Sequence, residues 1–161
     1  STARTQYFVR LLEAVADESA LHSPDVVFRV EVEPPDLAVD GDPERLHQVF
    51  ANLTDNAARF TPDGGEVVLS ARRDGSMVRL EVVDEGPGIP ADAIDRVFER
   101  FYRTDEARST DEGGSGLGLA IARWVVDLHG GRIRAERNDP SGARMVVDLP
   151  DPGDGVPPGP S

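Results

Sequence analysis

The chain has 161 residues, 39% of them hydrophobic and 29% charged, enough for one domain with a buried core. Its net charge of −13 argues against non-specific nucleic-acid binding, which needs a basic face, and all 17 of its basic residues are arginine. There is no cysteine, which excludes disulfides and thiolate chemistry, and no apolar run approaches the length of a membrane span or the pattern of a signal peptide.

Residues 6–20 place Phe8, Leu11, Leu12 and Val15 on one face of a helix. VVFRVEVE (26–33) predicts a strand, broken by Pro34-Pro35. Asp42-Pro43 supplies an N-cap carboxylate and a first-turn proline for a helix that runs to Phe60 and stops before Thr61-Pro62. EVVLSARR (66–73) and MVRLEVVD (77–84) flank the hairpin dipeptide Asp74-Gly75. After EGPGIP, the spacing of Ile94, Val97, Phe98 and Phe101 predicts a short helix over 91–101. Residues 103–115 are polar and charged and predict a loop, followed by a helix over 116–129 that ends at Gly130-Gly131. GRIRAERN and ARMVVDLP predict a last strand pair. From Asp151 the chain is rich in Pro and Gly without apolar period, which predicts a disordered tail over 151–161. The order of elements predicts a two-layer α/β sandwich, with three main helices on one face of a mixed, mostly antiparallel sheet, as a single domain over 1–150.

Three constellations carry chemical information. On the helix from Pro43, the residues Leu46, Val49, Phe50, Leu53, Ala57 and Phe60 form an apolar stripe. Asn52, Asn56 and Arg59 line its edge, where unpaired amides would cost about 1–3 kcal/mol each. Local backbone bonds or water would also satisfy them. In the strand 77–84, Val78, Leu80 and Val82 define the apolar face, and Asp84 continues on it. A carboxylate there requires hydrogen bonds; it stands either as a turn cap or as a ligand group beside Gly86-Pro87-Gly88. Thirdly, GGSGLGLAIA (113–122) sets glycines before a helix start, an anion site by its free amides and dipole. It is neither a P-loop nor a dinucleotide fingerprint.

Taken in order, NLTDNAARFTP (52–62), DEGPGIP (84–90), VFERFYRTD (97–105) and GGSGLGLAIA (113–122) closely resemble the N box, first glycine box, F box and second glycine box of histidine protein kinases of the GHKL ATPase superfamily. The resemblance covers roughly residues 8–150. It implies that Asn56 coordinates Mg²⁺ on the ATP phosphates and that Asn52 contacts the same phosphates or metal-bound water. Arg59, where many relatives carry lysine, would face phosphate oxygens with a fixed fork in place of a point charge. Phe60 would flank the adenine and Asp84 would accept its exocyclic amine. Gly86, Gly88 and Ile89 would shape the pocket, while Phe98 and Phe101 would be core anchors. Arg103 would reach the γ-phosphate. Gly114, Gly116 and Gly118 would bring amides onto the phosphates, with Leu117 and Leu119 packed beneath. One metal, two arginines and a helix N-terminus would then offset the negative net charge.

The same resemblance implies transfer of the γ-phosphoryl group to a histidine on a separate dimerisation domain of the parent sensor kinase, and relay to a response regulator. Hydrolysing relatives of the gyrase, mismatch-repair and heat-shock type carry a glutamate where this chain has Asn52, which cannot take a proton. His22, His47 and His129 lack the acidic neighbour of a phospho-acceptor, so the acceptor helices are expected outside this chain, with residues 1–6 as the linker to them. The expected setting is a cytoplasmic domain of a bacterial protein anchored in the plasma membrane, with no membrane or nucleic-acid contact of its own. Competing readings are a serine kinase of the anti-sigma-factor type, a nucleotide-gated interaction module without chemistry, and a true ATPase.

Overall fold

A computed structural model describes residues 4–100, 102 and 117–152. Helix α1 (Phe8–His22), helix α2 (Pro43–Phe60) and helix α3 (Gly118–Leu128) lie on one face of a five-stranded sheet. The strands are β2 (Val27–Glu33), β4 (Glu66–Asp74), β5 (Met77–Val83), β6 (Arg132–Arg137) and β7 (Ala143–Pro150), in the order β2-β4-β5-β7-β6. Only β2 and β4 are parallel; every other pair is antiparallel, so the mixed α/β sandwich expected from the element order is the fold observed.

The alternation along the strands explains the layering. Val67, Leu69 and Ala71 on β4, Val78, Leu80 and Val82 on β5, and Met145, Val147 and Leu149 on β7 all point to the helices and are buried. They meet Phe8, Leu12 and Val15 of α1, Leu46, Val49, Phe50 and Leu53 of α2, and Val125 and Val126 of α3. At about 25 cal/mol per Å² of apolar surface removed from water, this single core supplies most of the driving force for folding.

Helix α2 starts where its sequence directs. The Asp42 carboxylate accepts from the amides of Glu44 and Arg45 at 3.0 and 3.3 Å, and Pro43 fills the first turn, where no donor is needed. It ends where Thr61 turns back, its amide on the Ala58 carbonyl and its hydroxyl on that of Ala57.

Three local expectations are corrected. Residues 4–7, read as linker and helix start, form strand β1 (Arg4–Tyr7), which pairs antiparallel with an unforeseen strand β3 (Ala38–Gly41) in a separate two-stranded ribbon. Helix α1 therefore begins at Phe8. Residues 91–100 form successive turns instead of a helix, with amides of Ala93, Arg96, Glu99 and Tyr102 each bonded to the carbonyl three residues back. So short a stretch lacks the length to stabilise an α-helix alone; burial of Ala93, Val97 and Phe98 fixes it instead. Phe101 and the tail from residue 153 lie outside the described residues.

The sheet face away from the helices is a lattice of charges. Arg79 and Arg134 both reach Asp148, at 2.9 and 3.2 Å, and Arg144 reaches Glu81 at 3.2 Å. Their long stems shield the strands beneath: Val146, opposite Glu81 and Arg134 on the neighbouring strands, is fully buried on this charged face.

Candidate functional site

Asp84 sits where β5 leaves the sheet, on the helix-facing side that its parity predicts, and it is only 5% exposed. Its Oδ1 accepts two backbone amides, from Gly86 at 2.9 Å and Ala143 at 3.1 Å, while its own amide donates to the Ala143 carbonyl. Oδ2 has no partner among the described residues. Burial pushes the carboxyl above its ordinary value and the two amides pull it partly back; no cation contributes. A buried acid with one oxygen held and the other open is arranged to accept a hydrogen bond from something outside the protein.

The loop after Asp84 is pressed between two other elements. A Cβ on Gly86 would come within 2.6 Å of the Phe60 carbonyl, so the last turn of α2 and this loop are in direct contact. Gly88, at φ +87°, lies in a conformation that L side chains rarely adopt, and a Cβ there would approach the Gly142 carbonyl at 2.9 Å. Phe60 and Gly88 are half-buried, and Ile89 packs on the main core.

Along α2 from Phe60, the polar row lies at the edge of the buried stripe. Asn56 is half-buried and Arg59 exposed, and neither side chain has a hydrogen bond or ion pair with another described residue. Asn52 is engaged: its Nδ2 donates to the Gly118 carbonyl at 3.1 Å, and a Cβ on Gly118 would lie 3.8 Å from its Cγ. The start of α3 therefore meets α2 through this bond, at ordinary van der Waals distance from the Asn52 side chain. Leu117 and Leu119 are half-buried, and Leu119 packs on the core. The far end of α3 is fastened as well. His129 Nε2 accepts the Asp42 amide at 3.2 Å, and its Nδ1 donates to the Val125 carbonyl at 2.8 Å.

Thus α2 links two parts of the site. Its end touches the Asp84–Gly88 loop, and its middle touches the start of α3, with Asn56 between them. The structure brings together Asn52 with Gly118, and sets Gly86 against both Phe60 and Asp84; Arg103, Gly114 and Gly116 lie outside the described residues. Gly142 and Ala143, which hold Asp84 from the β6–β7 turn, were not foreseen. The Pro-Ser-Gly sequence signals a turn there, but nothing local in it reports a contact with Asp84.

As a cation site, the described residues offer no group of three His, Asp or Glu side chains. They do offer the Asn56 amide, an oxygen ligand without a competing partner among the described residues. That suits a hard cation held mainly by ligand phosphates and water, and does not suit an all-protein cage. Of the three histidines, His129 is a structural clamp, His47 reaches Glu18 at 3.1 Å between α2 and α1, and His22 is exposed at the end of α1.

Residues 41–153 match the HATPase_c family, described as histidine kinase-, DNA gyrase B-, and HSP90-like ATPase. The sensor protein VanS of Enterococcus faecium is 41% identical over 146 residues, which is 91% of this chain and 35% of VanS. The signal transduction histidine-protein kinase BaeS of Escherichia coli (strain K12) is 44% identical over 117 residues, 73% of this chain and 25% of BaeS. Among solved structures, the mycobacterial sensor histidine kinase MprB superposes with a TM-score of 0.82 at 33% identity, over 93% of this chain and 98% of that one. The chain therefore spans about a third or less of the length of these two curated relatives.

Proposed function

Because the chain belongs to the family of histidine kinase-, DNA gyrase B- and HSP90-like ATPases, we propose that it binds Mg-ATP and is the catalytic part of a sensor kinase that transfers the γ-phosphoryl group to a histidine on a separate dimerisation domain. The observation that carries this reading is the Asp84 carboxylate, buried without a cation, with Oδ1 held by two amides and Oδ2 open. An ionised Oδ2 accepts from an exocyclic amine, and the burial of Asp84 limits competition from water. A base with a carbonyl in place of that amine would set acceptor against acceptor, so the site selects adenine.

On the phosphate side, the Asn56 amide oxygen would hold Mg²⁺ jointly with phosphate oxygens, and Arg59 supplies a guanidinium not committed to another described residue. The metal, when bound, would neutralise charge on the transferred group. Phosphoryl transfer is chiefly positioning and charge neutralisation, and the chain's own residues supply orientation: Asp84 fixes the base end and α2 spans to the phosphate end. Asn52 acts at the α3 junction through its bond to Gly118, and an amide has no proton-accepting strength to activate water. The nucleophile then comes from outside this domain. Naming of the relatives as sensor kinases supports a histidine acceptor over a serine one, with a response regulator as the next recipient. Arg103, Gly114 and Gly116 are assigned to the γ-phosphate and its surrounding amides on the resemblance of their motifs alone. In this reading the parent protein is membrane-anchored with this domain on the cytoplasmic side; no helix among the described residues is long and apolar enough to cross a membrane.

The test is calorimetric titration with a non-hydrolysable ATP analogue, with and without Mg²⁺. Saturable binding strengthened by Mg²⁺ is expected. Absence of binding at millimolar nucleotide overturns the proposal and leaves an interaction module as the reading to pursue.

A further inference from the structure

The geometry points to the β6–β7 turn, Asn138–Gly142, as the positioning element that aims Asp84 and thereby sets the base preference of the site, an inference that rests on the adenine reading above. One of the two bonds on Oδ1 is local, from Gly86 two residues on. That bond alone leaves the carboxylate free to pivot. The second comes from Ala143, directly after the turn, and two donors converging on one oxygen fix the direction in which Oδ2 points.

The turn is built to hold that position. Gly142 is at φ +100°, and a Cβ there would overlap the Asp84 carbonyl oxygen and lie 2.8 Å from its carbon. Both opposing atoms are backbone, so relief requires displacement of the turn or of the strand end. On its other side the turn presses on the loop through Gly88. It is braced from within by Asn138, whose amide donates to the Gly142 carbonyl at 2.9 Å and whose Nδ2 donates to the Ser141 carbonyl at 3.2 Å. Arg144 donates to Asn138 Oδ1 at 3.1 Å and to Glu81 at 3.2 Å, which fastens the brace to β5. A turn so clamped transmits any displacement to the Ala143 amide. Neither Glu85 on the loop nor Arg144 on β7 contributes to the displacement of the Asp84 carboxyl, whose causes are burial and the two amides.

Binding of ATP and of ITP, which carries a carbonyl in place of the exocyclic amine, is to be measured on the full chain and three variants. Gly142→Ala should reduce the ATP-over-ITP preference by about tenfold or more, the size of one buried charged hydrogen bond. It should also raise the pH below which ATP affinity is lost, because a carboxylate deprived of a donor is protonated sooner. Asn138→Ala introduces no clash and should reduce the preference by roughly twofold to fivefold. Gly75→Ala, at φ +63° with open space around it, imposes left-handed strain at a remote hairpin and should leave the preference unchanged. A wild-type preference for ATP that persists undiminished in Asn138→Ala and in any folded Gly142→Ala overturns the inference. A wild type without preference overturns the adenine reading instead.

Discussion

Two aspartates are buried among the described residues, one on each face of the sheet, and they are held in opposite ways. Asp148, on the charged face, is 8% exposed and lies between Arg79 and Arg134. Burial alone would push its carboxyl up, but the hydrogen bond and charge of Arg79, helped by Arg134, overcome this and hold it below the usual carboxylate range. Asp84, on the helix side, has only amides, and burial prevails. A buried acid surrounded by its cations is complete and contributes to structure. A buried acid given donors for one oxygen alone is incomplete, and its incompleteness is what a ligand can use.

The sharpest way to break this contrast is Asp84→Asn. It should weaken adenine nucleotides by about 10- to 100-fold while leaving inorganic tripolyphosphate unaffected, as titration of both ligands would reveal. Equal loss of both would refute a base-side role. Next in size, Asn56→Ala should remove the Mg²⁺ dependence of nucleotide binding, a loss of about tenfold or more in the presence of the metal; an unchanged Mg²⁺ effect would sink the metal assignment. Asp148→Ala should do the reverse of Asp84→Asn. It removes the acceptor shared by Arg79 and Arg134, which keep only their exposed partners Asp74 and Glu136, and should lower stability by about 1–3 kcal/mol in urea unfolding, with nucleotide affinity intact.

The smallest effect is the dependence of stability on pH, and its sign differs between the two sites. Asp148 has a depressed folded value, so its contribution is present above the ordinary carboxylate value and is lost as pH falls through the folded one. Asp84 has a raised folded value, so its ionisation opposes folding above that value and ceases to do so below the ordinary one. Unfolding free energies of Asp148→Asn and Asp84→Asn, each relative to wild type, should therefore change in opposite directions between neutral and acid pH. A common direction would mean that the two carboxyls are not distinguished by their surroundings.

The unequal legibility of these two sites in the sequence has a physical reason. Asp84 was visible because strand parity is local: Val78, Leu80 and Val82 define a face, and the next residue in phase is an acid. Asp148 breaks parity with Met145, Val147 and Leu149 and so reads as an ordinary solvent-facing residue. Its burial depends on arginines from β5 and β6, and no pattern within β7 announces them. The helices α1, α2 and α3 and the five main strands were legible for the same local reason, in caps, hairpin dipeptides and apolar period. Strands β1 and β3 were not, since four residues each give too little alternation to outweigh the helix signal beginning at Phe8. The 91–100 segment has helical spacing without helical length. Gly142 was invisible as a site residue because its meaning is a contact with Asp84, far away in sequence and brought near only by the β5–β7 pairing.

The fastening of α3 at both ends has a consequence for motion. Asn52 meets Gly118 at one end, and Asp42 meets His129 at the other. At 1.5 Å per residue the two attachment points are about 15 Å apart along α2 and about 16 Å along α3. Two antiparallel rods pinned at matching intervals form a frame that resists sliding, so a change of register between them would require both pins to fail together. The pair then behaves as one cooperative unit, in which the amides around Asn52 and those around His129 exchange with solvent through a shared opening event.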